Sequence, residues 1–111
     1  MRNYKLYLKD ILQAMENIEK FVGDMDFEEF KEDDKTSSAV IRKFEIIGEA
    51  AKHIPAEMAQ QYPQIPWKEM AGMRDRLIHL YFGIDYGLVW KTIKERLPEL
   101  IPLLKEALRE L

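Results

Sequence analysis

The stretch Thr36–Pro55, TSSAVIRKFEIIGEAAKHIP, decides how this chain folds. Its apolar side chains Val40, Ile41, Phe44, Ile47, Ala51 and Ile54 recur at intervals that a helix gathers onto one face and a strand would scatter over two. Thr36 or Ser37 can cap the start, and Pro55 closes the helix or begins a short extra turn. Gly48 costs about 1 kcal/mol of helix propensity, so its expected role is the close approach of a neighbouring helix. Glu49 on this largely apolar helix has two readings: an ion pair with Arg74 or Arg76, or more simply a partly exposed surface carboxylate. His53 reads as a C-terminal capping residue and not as a ligand.

Toward the N-terminus, Leu8, Ile11, Leu12, Met15, Ile18 and Val22 predict a long amphipathic helix from Tyr4 to Val22, which Gly23 can stop. Asp26 and Glu29 have capping-box spacing for a short helix, and the charge run after it reads as a solvated turn. Toward the C-terminus, PAEMAQQYPQIP holds three prolines in Pro55–Pro66 and predicts a connector with at most a turn or two of helix. Pro66 suits the first position of a helix carrying Trp67, Met70, Met73, Leu77 and Leu80 and ending near Gly83. Asp85 can cap the next, along which Val89, Ile93 and Leu97 are spaced by four. Pro98 must kink or restart it, and Ile101, Leu104, Leu108 and Leu111 continue the stripe. The sum is a single all-α domain over residues 1–111, an antiparallel bundle of four main helices with short extra helices.

Composition excludes several function classes. The 111 residues contain no cysteine, which removes disulfides, thiolate zinc sites and cysteine nucleophiles. A net charge of −3 argues against coating nucleic acid through a global field, so any polyanion contact must be local. The start MRNYKLYLKD lacks the apolar stretch of a signal peptide, and no apolar run approaches the 18 or so residues of a membrane span. A cytoplasmic protein without membrane contact is expected. The two histidines lie in different predicted elements with no paired ligand spacing, and there is no phosphate-cradling glycine loop, so neither a metal nor a cofactor is expected.

The remaining chemistry is concentrated in GMRDRLIHLYFG, Gly72–Gly83. On a continuous helix Arg74 and Tyr81 fall within about 20° of each other, whereas His79 lies about 140° from Arg74. Joining them requires either that the helix unwinds just after His79 or that a two-fold dimer wraps both faces into one seam. The plain alternatives are a histidine that satisfies the last carbonyls, core or rim aromatics at Tyr81 and Phe82, and surface charges at Arg76 and Lys68.

RDRLIHLY, Arg74–Tyr81, fits the pattern R-x4-H-x-Y, and with IGEAAKHIP, YPQIPWKEMAGMRDRLIH and FGIDYGLVW around it the chain resembles HepT-type HEPN proteins from Leu8 to about Leu100. The resemblance implies the toxin half of a toxin–antitoxin pair: a homodimeric helical bundle that cleaves RNA without metal at the dimer seam. It implies Arg74 and His79 as the catalytic pair, with Asp75 in the polar supporting position. It further implies a minimal nucleotidyltransferase as antitoxin partner, which transfers AMP to the motif tyrosine, Tyr81. Leu80 departs from the pattern, since many relatives carry a polar residue there.

Those residue types suit that chemistry. RNA cleavage without metal removes the 2′-hydroxyl proton, stabilises a phosphorane and protonates the leaving 5′-oxygen. A histidine with a pKa near 6.5 can move protons at neutral pH, and an arginine stays charged and presents a fork to phosphate oxygens. One chain supplies one motif histidine, so an acid and a base together require two copies. AMP on Tyr81 would bring a bulky anion to the cation that substrate needs. The competing function is a non-enzymatic helical subunit that docks a nucleotidyltransferase and presents it with substrate or nucleotide. A plain oligomerising bundle would leave the clustered Arg, Asp, His and Tyr unexplained.

Overall fold

A computed structural model describes residues 4–79 and 83–111, His79 by its backbone only. The first long helix, α1, spans Tyr4–Val22, and Gly23 ends it with φ +53°, a left-handed conformation that glycine adopts without penalty. Asp26 and Glu29 form the expected capping box at the start of α2, Phe27–Glu32. The second long helix, α3, spans Asp34–Lys52.

The cap of α3 differs from expectation. Asp33, which already closes α2, takes the role assigned to Thr36 or Ser37: its carboxylate accepts the Thr36 backbone N–H at 3.0 Å and the Thr36 hydroxyl at 2.9 Å. A carboxylate that accepts two donors in one geometry outcompetes a hydroxyl for the orphan amide. Those bonds, the backbone one foremost, also hold the Asp33 pKa below its ordinary value. Ser37 is left inside the first turns, buried and bonded to the Asp34 carbonyl, and most of the charge run is helical.

Beyond α3 come α4, Ala56–Gln61, with Pro55 as its N-cap, and α5, Trp67–Ala71, with Pro66 as its N-cap. The single helix expected from Pro66 to Gly83 is broken twice. Gly72 separates α5 from α6, Met73–Leu77, and after Leu77 the chain becomes extended. Ile78–His79, β1, pairs antiparallel with Gly83–Ile84, β2, in the register Ile78↔Ile84 and His79↔Gly83. Gly83 therefore does not end a helix; its φ of +78° opens the second strand. The pair is anchored where the Asp85 N–H donates to the Leu77 carbonyl at 2.9 Å, closing α6 against the start of α7. Leu80, assigned to the helix face, lies outside the described residues.

Asp85 caps α7, Tyr86–Lys91, as its position predicts. The helical path continues through a π turn, Thr92–Arg96, into α8, Leu97–Glu110. Pro98 has no N–H for the carbonyl four residues back, and the wider turn just before it, with Leu97 N–H bonded to the Thr92 carbonyl, absorbs that defect.

The elements form an all-α bundle in which α1 packs chiefly on α3 and α8, while α5 and α6 pack on α3. Its core includes Leu8, Ile11, Met15 and Ile18 of α1, Val40, Phe44 and Ile47 of α3, and Leu97 and Leu104 of α8, all sealed from solvent. Each such side chain contributes about 1.5–3 kcal/mol by leaving water. Leu111 departs from the predicted stripe and is exposed. Gly48 has the expected role: a Cβ there would meet the Ala71 carbonyl oxygen at 3.4 Å and that of Met70 at 3.6 Å, so α5 lies directly against the α3 backbone.

Candidate active site

Helix α6 is a single positioning turn. Met73 and Leu77, four apart, are buried, and this anchoring turns Arg74, Asp75 and Arg76 to the surface. Arg74 lies over α3, where its Nε donates to Glu45 Oε2 at 3.4 Å, and its Nη1 is 3.5 Å from Asp75 Oδ1. Glu45 is shared: its other oxygen is 3.7 Å from Arg42 Nη1. Nearly half of the Arg74 side chain, 47%, stays in solvent, so its remaining N–H groups can reach a ligand.

Arg74 borders a groove of about 390 Å³ between α1, α3 and the α5–α6 segment. Tyr7 and Asp10 line it from α1, with Arg42, Glu45, Glu49 and Lys52 from α3. His53 joins them as the C-cap of α3, with its backbone N–H bonded to the Ala50 and Ala51 carbonyls as its position predicts. Its ring stacks on Tyr7 at 5.2 Å between centroids and 14° between planes.

The site differs from the sequence reading in two ways. Glu49 is the surface carboxylate of the simpler reading, near His53 at 3.8 Å and 70% exposed; Glu45, one turn earlier, holds Arg74 instead. The shared face of Glu45 and Glu49 was visible in their spacing, but not which of them meets α6. The helical count that put Arg74 and Tyr81 on one face does not apply, because helix ends at Leu77 and Ile78 is extended with φ −123° and ψ 116°. Unwinding thus begins before His79 and not after it. The His79 backbone pairs with Gly83, while its side chain and all of Tyr81 lie outside the described residues. Asp75 is 78% exposed beside Arg74, and Arg76 and Lys68 are surface charges as expected.

A bidentate ion pair braces α5, which leads into α6. Arg96 of the π turn donates to both oxygens of Glu69 in α5, at 2.7 and 2.8 Å. This bond holds the Glu69 carboxyl below its ordinary range and pushes the Arg96 guanidinium up. Among the described residues no three His, Cys, Asp or Glu side chains gather as a metal site, and no helix is long and apolar enough to cross a membrane.

A sequence profile described as "Ribonuclease HepT-like" matches residues 11–107. This chain belongs to the HepT-like ribonuclease family. A relative from Thermococcus cleftensis named "Probable ribonuclease HepT" is 54% identical over 99 residues, covering 89% of this chain and 90% of its own. A Methanocaldococcus jannaschii protein carrying the name "Putative RNase" is 48% identical over 110 residues, 99% of this chain and 95% of its own. No solved structure matches the chain. Within this HepT-like chain, the exposed guanidinium of Arg74 is the motif group whose side-chain surroundings are described.

Proposed function

We propose that this chain is the toxin of a toxin–antitoxin pair, a homodimeric endoribonuclease that cleaves RNA without metal through Arg74 and His79, supported by Asp75. The observation that carries this reading is an arginine of a HepT-like family member left half in solvent at the rim of a groove and aimed by a carboxylate of another helix. In the reaction the 2′-oxygen attacks phosphorus as one imidazole takes its proton, and the 5′-oxygen leaves with a proton from the second imidazole of the dimer. Arg74 receives the negative charge that builds on the phosphorane through charge-assisted hydrogen bonds. Its charge does not titrate near neutrality, so it stabilises the anion and moves no proton.

A minimal nucleotidyltransferase silences the toxin by transferring AMP from ATP to the Tyr81 hydroxyl, with pyrophosphate as the leaving group. The attached phosphate competes for the cation on which substrate depends.

Incubating the purified protein with RNA in EDTA tests the reading. Wild type cleaves, whereas Arg74→Ala and His79→Ala each lose about 10²–10⁴-fold in rate while keeping the wild-type helical circular-dichroism spectrum. Undiminished cleavage by either variant, or cleavage abolished by EDTA in wild type, overturns it. Co-expression with the nucleotidyltransferase adds the mass of one AMP group to wild type and none to Tyr81→Phe.

A further inference from the structure

The groove beside Arg74 holds more than a cation. Tyr7 covers one face of the His53 ring in a near-parallel stack, yet the His53 side chain remains 52% exposed, so its other face and its edge meet solvent. Beside that ring stands the Glu49 carboxylate, 70% exposed and 3.8 Å from Nε2, too far for a hydrogen bond and so retaining its acceptor capacity. Toward the start of α3, Arg42 and Arg74 share the carboxylate of Glu45; Arg74 also lies 3.5 Å from Asp75, and 47% of its side chain stays in solvent, where its remaining N–H groups can meet an anion. An exposed aromatic face, a carboxylate with open acceptor sites and a half-exposed guanidinium around about 390 Å³ match the parts of a single nucleotide, and the volume falls in the range of about 300–1,000 Å³ of small-ligand sites.

We propose that this groove binds an unpaired guanine of single-stranded RNA, stacked on the open face of His53 and read at its N1–H and N2 amino group by Glu49, with the adjoining phosphate drawn toward Arg74. The inference rests on the RNA-cleaving reading above and specifies its substrate class. Stacking on an aromatic ring accepts any base, so discrimination must come from the edge. Of the four RNA bases only guanine offers two adjacent N–H donors on its Watson–Crick edge, the arrangement that a carboxylate accepts bidentately. Adenine, cytosine and uracil each present one. Glu49 is exposed and turns on three side-chain bonds, so it can rise from the His53 edge to the base stacked above it.

Binding of 5′-GMP, 5′-IMP, which lacks the N2 amino group, and 5′-AMP to the full chain tests the site by nuclear magnetic resonance titration followed on the base protons of each nucleotide, a readout shared by wild type and variants. GMP is expected to bind about tenfold more tightly than IMP or AMP. Glu49→Gln abolishes that preference, His53→Ala weakens all three nucleotides about tenfold, and His53→Phe restores them by keeping the stacking face. Equal affinity for the three nucleotides, no binding at millimolar concentration, or indifference to both Glu49→Gln and His53→Ala overturns the inference. A parallel RNA cleavage assay separates the two readings: cleavage without guanine preference sinks the base site alone, and guanine-selective binding without cleavage sinks the nuclease alone.

Discussion

Arg74 shows how a single side chain is tuned by a neighbour far away in sequence. Glu45 cancels part of its charge and at the same time fixes its direction, through one hydrogen bond of 3.4 Å in a partly exposed setting. Exposed pairs of this kind contribute at most about 1 kcal/mol to stability, so Glu45→Gln should leave the melting temperature almost unchanged. Catalysis should respond more. Removing the carboxylate adds one positive charge to the groove and frees the guanidinium, so KM for RNA is expected to fall while kcat falls about 3- to 10-fold. Steady-state kinetics of Glu45→Gln check this, and an unchanged kcat would show that Arg74 needs no orientation. The motif spacing made Arg74 a candidate by its residue type; its partner 29 residues upstream left no local trace, because helix periodicity gives a face and not the neighbour that the face meets.

At the scale of elements, the segment after Pro66 departs furthest from expectation. Trp67, Met70, Met73 and Leu77 do recur as a helix requires, and the periodic pattern hid two breaks. Helix α6 is one turn long, held by burial of Met73 and Leu77 and not by propensity, and the Ile78–Ile84 pair competes for the residues that follow. Gly83 is the local reason that the strand pair can form, since a side chain at its φ of +78° is strained although nothing stands within 4 Å of a built Cβ. Gly83→Ala should therefore destabilise the protein by about 1–2 kcal/mol in urea unfolding and lower cleavage by disturbing the pairing of His79. Gly48 responds differently. A methyl there meets the Ala71 carbonyl at the limit of contact and gains helix propensity, so Gly48→Ala should stay within about 1 kcal/mol of wild type. Gly48→Leu must push α5 away and should cost about 1–3 kcal/mol. By contrast, the caps at Asp26 and Asp85 and the stop at Gly23 were readable, because a side chain bonding an amide two or three residues on is encoded within one turn.

For the whole molecule, the Glu69–Arg96 bidentate pair joins α5, which leads into the Arg74-bearing α6, to the π turn across 27 residues. Glu69 has its pKa lowered from an ordinary 4.5, so its contribution to stability is complete above that value and is lost as pH falls through the lower folded value. Thermal unfolding of wild type should thus lose stability more steeply than Glu69→Gln below about pH 4.5, and the two curves should converge in acid. Parallel curves would show that the pair is not coupled to folding. At neutral pH Glu69→Gln should cost about 1–3 kcal/mol, the usual range for a hydrogen bond to a charged group. What the chain states in its own local chemistry is its helices, their caps, their buried faces and the R-x4-H-x-Y spacing of Arg74, His79 and Tyr81, since each depends on residues within a few turns of one another. Packing alone selected Glu45 as the partner of Arg74, stacked His53 on Tyr7 in the same groove, and ended α6 at Leu77. Those outcomes turn on which helix faces meet, a sum of many weak contacts between distant segments that no periodicity records.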